Sequence, residues 1–235
     1  MLVGGKTSFR QKQTPDKNPH GLDEDGHYSS AHDVAVMSRE LLKHEEIRKY
    51  TTIWQEKIRD GAFELTNTNK LIRFYEGATG LKTGSTTKAG YCLSASAKRE
   101  NLELIAVELG SDNSNNRFAD AKALLDYGFA NYKLIDLTNK KDVVAQTEII
   151  YGKQSTVDLY ASEDLDYLLK TSDKEKIEKT ITTVPTTAPV KIGDVLGKIS
   201  FTKNGETIME TDLVAGMDVQ KKTMFDILNE FLKAM

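Results

Sequence analysis

The chain has 235 residues, 39% hydrophobic and 29% charged, with a net charge of -3, enough length for one large domain or two small ones around a real core. The near balance of charge gives no reason to expect a polyanion partner, and nucleic acid is excluded on that ground. A single cysteine, Cys92, excludes an intramolecular disulfide framework, and no apolar run approaches the roughly 18 residues a membrane span needs.

Residues 1–17 are polar, carry Lys, Gln and Pro, and are expected to be poorly ordered. The start, MLVGGKTSFRQ, has no apolar h-region, so no signal peptide is expected. From Ser30 to Tyr50, Val34, Met37, Leu41, Leu42 and Ile47 recur at helical spacing, with Ser30 as cap and Asp33 closing a weak capping box. Asp60-Gly61 is a strong hairpin signal between strands at 52–59 and 62–66. Two further strands are predicted over Tyr91–Lys98 and Leu102–Leu109, the first placing Cys92 as a buried, inert thiol. An amphipathic helix follows over Asn116–Asn131, with Phe118, Ala121, Leu124, Leu125 and Phe129 on one side. Beyond Tyr132 the texture changes to short β segments at 143–151, 155–161, 177–183, 195–202 and 207–214. Turns at Tyr151-Gly152, Val190 to Gly193 and Asn204-Gly205 punctuate them. The chain closes on Lys222–Met235, where Met224, Phe225, Ile227, Leu228, Phe231, Leu232 and Met235 make one apolar face.

Between the hairpin and the Tyr91 strand lies Lys82-Thr83-Gly84, in the run GLKTGSTTKAGYCLSASAKRENLELIAVELG. A strand edge offers alternating side chains and backbone N–H groups to a cleft. Lys82 supplies a fixed positive charge, Thr83 points the other way on an ideal strand, and Gly84 leaves room for close approach. The next N–H, of Ser85, could stabilise an oxyanion, a contact worth about 3 kcal/mol. The triplet by itself is a weak signal.

Its surroundings are not. NPHGLDEDGHYSSAHDVA at 18–35, TNTNKLI at 66–72, GATGLKTGSTTKAGYCLSASAKR at 77–99 and RFADAKALLDYGF at 117–129 resemble, in order and spacing, the later part of the D-alanyl-D-alanine carboxypeptidases. These are the low-molecular-mass penicillin-binding proteins of peptidase family S11. APVKIGDVLGKISF at 188–201 and the run ETDLVA resemble the same family's C-terminal domain. The resemblance implies a mixed α/β (α+β) transpeptidase/β-lactamase-like domain, truncated at its N-terminus, over 18–131. A small all-β, sandwich-like domain follows over 132–219 and an amphipathic helix over 220–235. It implies serine-type removal of the terminal D-Ala from peptidoglycan pentapeptides through an acyl-serine, recognition by β-lactams, and no cofactor or metal. By matching position, Lys82 belongs to the catalytic cleft, Thr83 and Gly84 to substrate binding, and Ser85 gives an oxyanion N–H. Arg117 matches the arginine that steadies the substrate carboxylate, a role that suits a bidentate guanidinium. The family is exported to the outer face of the cytoplasmic membrane, which the terminal helix would contact through 220–235.

The departures matter equally. The family's S-x-x-K nucleophile motif and its S-x-N motif precede the Lys-Thr-Gly strand. Only 81 residues precede Lys82 here, and none of them carries S-x-x-K. Asp16 stands where an aromatic is expected, and residues 1–12 do not fit the family pattern. Ser85-Thr86-Thr87-Lys88, Ser200-Phe201-Thr202-Lys203 and Ser111-Asp112-Asn113 spell the motifs in the wrong places and read as coincidences. His20, His27, His32 and His44 beside Asp23, Asp25 and Asp33 invite a metal reading, but none makes a tight pair on one helix face. The expectation is therefore a chain without its nucleophile, inactive alone and, with sheet surface uncovered, unstable or oligomeric. The alternative is a non-catalytic protein that binds peptidoglycan or a partner.

Overall fold

A computed structural model describes residues 17, 18 and 20–234 and divides the chain into two units between Lys133 and Leu134. The expected disorder of residues 1–17 and the Asp16 departure fall almost wholly outside the described residues. No helix among the described residues is long and apolar enough to cross a membrane.

The periodicity from Ser30 to Tyr50 produces two helices, α1 (Ala31–Leu41) and α2 (Glu45–Thr51). Ser30 caps α1 by accepting from the Asp33 N–H at 3.1 Å. The break has a local cause. Leu42 is buried, and its carbonyl accepts from Nε of Arg48 at 2.9 Å. The same guanidinium grips Glu103 bidentately at 2.7 and 2.9 Å, which ties α2 to the strand over Leu102–Ser111.

The hairpin forms as β1 (Gln55–Ile58) and β2 (Phe63–Thr66), shorter than predicted, with every side chain of both strands exposed. Arg59, Asp60 and Gly61 all take positive φ, so the turn spends more residues than Asp60-Gly61 alone. A single helical turn, α3 (Leu71–Phe74), leads into a three-stranded antiparallel meander. Its strands are β3 (Ala78–Thr86), β4 (Gly90–Arg99) and β5 (Leu102–Ser111), in that order across the sheet.

Helix α4 (Ser114–Asn131) starts where Asn113 accepts from the N–H groups of Asn115 and Asn116. Its buried line is Arg117, Ala121, Leu125 and Gly128, displaced from the predicted face; Leu124 is 49% exposed. Gly128 explains the displacement: a Cβ there would collide with Cδ1 of Leu104, so the helix lies on β5 through its smallest residues. Cys92 is only partly buried, at the register shift of β4 between Tyr91 and Leu93, with Sγ 3.5 Å from the Ala89 carbonyl, not in the core as expected.

The second unit holds β6 (Tyr132–Thr138), β7 (Val143–Ile150), β8 (Thr156–Ala161), β9 (Leu165–Lys170), β10 (Glu178–Thr183), β11 (Thr186–Thr187), β12 (Val195–Lys203) and β13 (Glu206–Ala215). Six form one sheet in the order β10-β12-β13-β8-β7-β11, and β6 pairs with β9 in a second. Alternating residues of the larger sheet, among them Val157, Leu159, Ile199, Phe201 and Leu213, make the core with Val219. All five predicted segments are strands; β6, β9 and the two-residue β11 were not foreseen. Helix α5 (Met224–Ala234) closes the chain, its start fixed by Asp226, which accepts from the N–H and hydroxyl of Thr223 at 2.8 Å.

Candidate active site

The Lys-Thr-Gly run lies in the middle of β3, an edge strand of the meander, and its register on β4 pairs Lys82 with Ser94, Thr83 with Leu93, Gly84 with Cys92 and Ser85 with Tyr91. Cross-strand pairs share a face. Lys82 therefore shares the face of Ser94, whose hydroxyl meets that of Ser38 on α1 at 2.7 Å. One pair further on, Ser96 meets Thr79 at 2.8 Å. On the neighbouring strand β5 the same face turns apolar at Val107 and Ile105, and Lys82 stands exposed at the sheet's edge, its ammonium donating to the Thr83 carbonyl.

Thr83 points to the opposite face and is 7% exposed. Its hydroxyl lies 2.6 Å from the hydroxyl of Thr68, in the loop that approaches α3. That loop is pinned by Asn69, 0% exposed, whose amide donates to the Gly80 carbonyl at 2.9 Å and accepts from the Leu71 N–H at 3.2 Å. Gly84 is exposed, and a Cβ built there meets nothing within 4 Å, so among the described residues the space above it is open. Ser85 is exposed next to it.

Arg117 reaches this strand from the first turn of α4, but from beneath. It is 7% exposed, with Nη1 donating to the carbonyls of Gly84 at 3.2 Å and Cys92 at 3.3 Å, and Nη2 to the Ser114 hydroxyl at 3.3 Å. The guanidinium is stacked between the rings of Tyr91 and Phe118, at 5.5 and 4.8 Å, and its Nε is buried without a hydrogen bond. Its fork is spent on the strand's own backbone and clamps β3 to β4 at the glycine. Glu108 on β5 is the nearby acid: burial pushes its carboxyl up, Asp120 adds to this, and Arg117 opposes it.

The structure thus brings together all five residues singled out in the sequence: Lys82, Thr83, Gly84, Ser85 and Arg117. Thr68 and Asn69 escaped chemical notice, although both stand in the TNTNKLI block. The displaced motif look-alikes have structural explanations. Ser85-Thr86-Thr87-Lys88 runs off a strand into a turn, with Lys88 3.2 Å from Asp25. Ser200 to Lys203 lies within β12, and Lys203 pairs with Asp173. Asn113 of Ser111-Asp112-Asn113 is the cap of α4. Among the described residues no group of three or more His, Cys, Asp and Glu is placed to hold a metal. His32 lies against Asp33 at 3.3 Å, and His44 occupies the cap position of α2.

A family model described as D-alanyl-D-alanine carboxypeptidase, peptidase S11, matches residues 6–113, and one described as penicillin-binding protein 5, C-terminal domain, matches 132–221. The D-alanyl-D-alanine carboxypeptidase DacF of Bacillus subtilis is 40% identical over 215 residues, 89% of this chain and 55% of the relative. DacA of Escherichia coli K12 is 29% identical over 229 residues, 95% of this chain and 56% of the relative. Penicillin-binding protein 5 from Haemophilus influenzae superposes with a TM-score of 0.66 at 28% identity, over 91% of this chain and 63% of that one. The chain spans about half the length of the curated relatives it matches.

Proposed function

We propose, for a chain that belongs to the D-alanyl-D-alanine carboxypeptidase family, that it supplies one wall of a serine-type D-Ala-D-Ala carboxypeptidase site together with that family's C-terminal domain. The observation that carries this reading is the Lys-Thr-Gly edge strand, with Lys82 exposed on one side, Thr83 held by Thr68 on the other, and Arg117 fastening Gly84 from below.

Each residue then has a task its position favours. Lys82 provides a cation close to a substrate carboxylate and to the proton traffic of acyl transfer. The Thr83 hydroxyl accepts from or donates to Thr68, so its second hydrogen-bonding direction is left for the terminal carboxylate of a peptide ending in D-Ala-D-Ala. The Ser85 N–H is the donor offered to the developing oxyanion. Arg117 acts through the strand: by holding the Gly84 and Cys92 carbonyls it fixes the line along which the peptide backbone would lie. Peptidoglycan pentapeptide and β-lactams are the proposed ligands.

No S-x-x-K helix stands among these residues, so we propose that the chain by itself forms no acyl-enzyme. Intact mass spectrometry after incubation with a penicillin tests this. An unmodified mass is expected; a stoichiometric adduct mapping to Ser85 or Ser200 would refute it.

For α5 we propose contact with a membrane surface, on the outer side of the cytoplasmic membrane. Its apolar side chains remain outside the core of the second unit, with Met224 88% and Phe225 78% exposed. An amphipathic helix of this kind lies in the interface plane. Co-sedimentation with phospholipid vesicles should be lost in Phe225→Ser/Phe231→Ser; retention by that double variant would refute the contact.

A further inference from the structure

Every residue of β1 and β2 is exposed, yet the two faces of their hairpin differ. The cross-strand pairs Gln55–Thr66 and Lys57–Glu64 make one face polar. The pairs Ile58–Phe63 and Glu56–Leu65 make the other largely apolar, with Phe63 53% and Leu65 56% exposed. Alternation continues this second face to the half-buried Trp54, which meets the exposed Phe74 of α3 edge-on at 6.0 Å. Guanidinium groups ride on the rings, Arg59 on Phe63 at 5.0 Å and Arg73 on Trp54 and Phe74 at 5.9 and 5.8 Å. A two-stranded hairpin is marginal until something packs on its apolar face, and an exposed patch of this kind marks a contact surface. The root is held firmly. The Asn67 N–H donates to the Trp54 carbonyl at 2.8 Å, and its side-chain amide to the carbonyls of Thr51 and Ile53 at 3.3 and 3.0 Å. The next residue, Thr68, meets Thr83 of the Lys-Thr-Gly strand at 2.6 Å.

We infer that this face of the hairpin is a subsite for the glycan of peptidoglycan, so that the polymer is gripped by its sugars as well as by its peptide. For its ligand this rests on the peptidoglycan reading above; the placement of the face does not. A pyranose presents a flat face of C–H groups, which packs on the negative face of an aromatic ring. From the Ile58–Phe63 pair to Trp54 is four residues of strand, about 14 Å, the span of a short oligosaccharide. Hydroxyl and acetamido groups at the sugar's rim need donors beside the rings, and Arg59 and Arg73 supply them. The charge fits as well: two guanidinium groups against the single acid Glu56 suit a polymer whose stem peptides carry carboxylates, which arginine takes as a fork. A second copy of this chain fits worse. Stacking two such faces about a two-fold axis would bury both copies of Glu56, Arg59 and Arg73 in one apolar layer.

The test sediments the full chain with insoluble peptidoglycan sacculi. Retention is expected, with peptide-free glycan chains competing for it. It should fall at least fivefold in Phe63→Ser/Leu65→Ser and in Arg59→Gln. Lys57→Gln removes the same charge from the polar face and should change nothing. All these positions are exposed, so a fluorescence melt on Trp54 should show each variant folded. The subsite is overturned by no retention, by equal retention of the chain and both face variants, or by equal losses from Lys57→Gln and Arg59→Gln, the mark of unspecific charge. A concentration-dependent dimer that the double variant dissolves would also overturn it, by putting a second copy on the face. Soluble pentapeptide is read separately, by amide shifts from Gly84 to Thr86. No shift there, with hairpin-dependent retention intact, would count against the peptide reading alone; a shift without hairpin-dependent retention would count against the glycan subsite alone.

Discussion

Replacing Arg117 by alanine should loosen the Lys-Thr-Gly strand before anything else. The guanidinium donates to two backbone carbonyls and one hydroxyl at 3.2 to 3.3 Å and is stacked between two rings. Hydrogen bonds from a charged donor contribute about 1.5 kcal/mol each at the weak end appropriate to these lengths, and a ring contact about 0.5 kcal/mol. Releasing a buried cation that has one unpartnered nitrogen returns part of this. A net loss of about 3 kcal/mol follows. For a unit of 133 residues unfolding with about 2.1 cal/mol/K per residue, that lowers the melting temperature by roughly 10 °C. Trp54, the one tryptophan, lies in this unit, so its fluorescence reports the melt without interference from the second unit. Arg117→Lys keeps the charge but not the fork and should lose about half as much. Hydrogen exchange should quicken at Gly84–Thr86 and Cys92 while β7 and β8 are unchanged. A fall below about 3 °C, or acceleration spread evenly over both units, would refute the clamp.

Asn69→Ala removes the partners of the Gly80 carbonyl and the Leu71 N–H in a fully buried site and should cost about 3 kcal/mol, read by the same Trp54 melt. Glu108 titrates above the usual carboxylate range in the fold, so its contribution to stability is fully present at acid pH and is lost as pH rises through its folded value. Glu108→Gln should therefore raise the melting temperature at neutral pH and leave it unchanged well below pH ~4; a uniform shift at every pH would contradict this. The Tyr75 hydroxyl is pushed up to about 12 by burial and by its 2.8 Å hydrogen bond to Asp126. One of the nine tyrosines should thus ionise late in a phenolate absorbance titration and vanish from it in Tyr75→Phe. Its stabilising share holds below about pH 10 and is lost as pH climbs through about 12.

The sequence by itself, through its resemblance to the family, named Lys82, Thr83, Gly84, Ser85 and Arg117 as candidates. Two-residue alternation put Lys82 and Thr83 on opposite faces of a strand, while the position of Arg117 beneath that strand is a tertiary contact. The same rules located both halves of the chain and five strands of the second. They failed where a distant partner decides the outcome. The helix from Ser30 to Tyr50 broke because Arg48 had Glu103, 55 residues away, to hold. The buried face of α4 was set by Leu104 against Gly128, not by the largest apolar residues of the helix. Strands β6 and β9 exist because they pair with each other, which neither segment announces alone. At the site, the role of Arg117 turned on direction: a guanidinium at that position can face a cleft or a strand. Only packing between Tyr91 and Phe118 aims it at the Gly84 carbonyl. The contact between Thr68 and Thr83 is likewise tertiary, since 15 residues separate two hydroxyls that a buried asparagine brings within 2.6 Å.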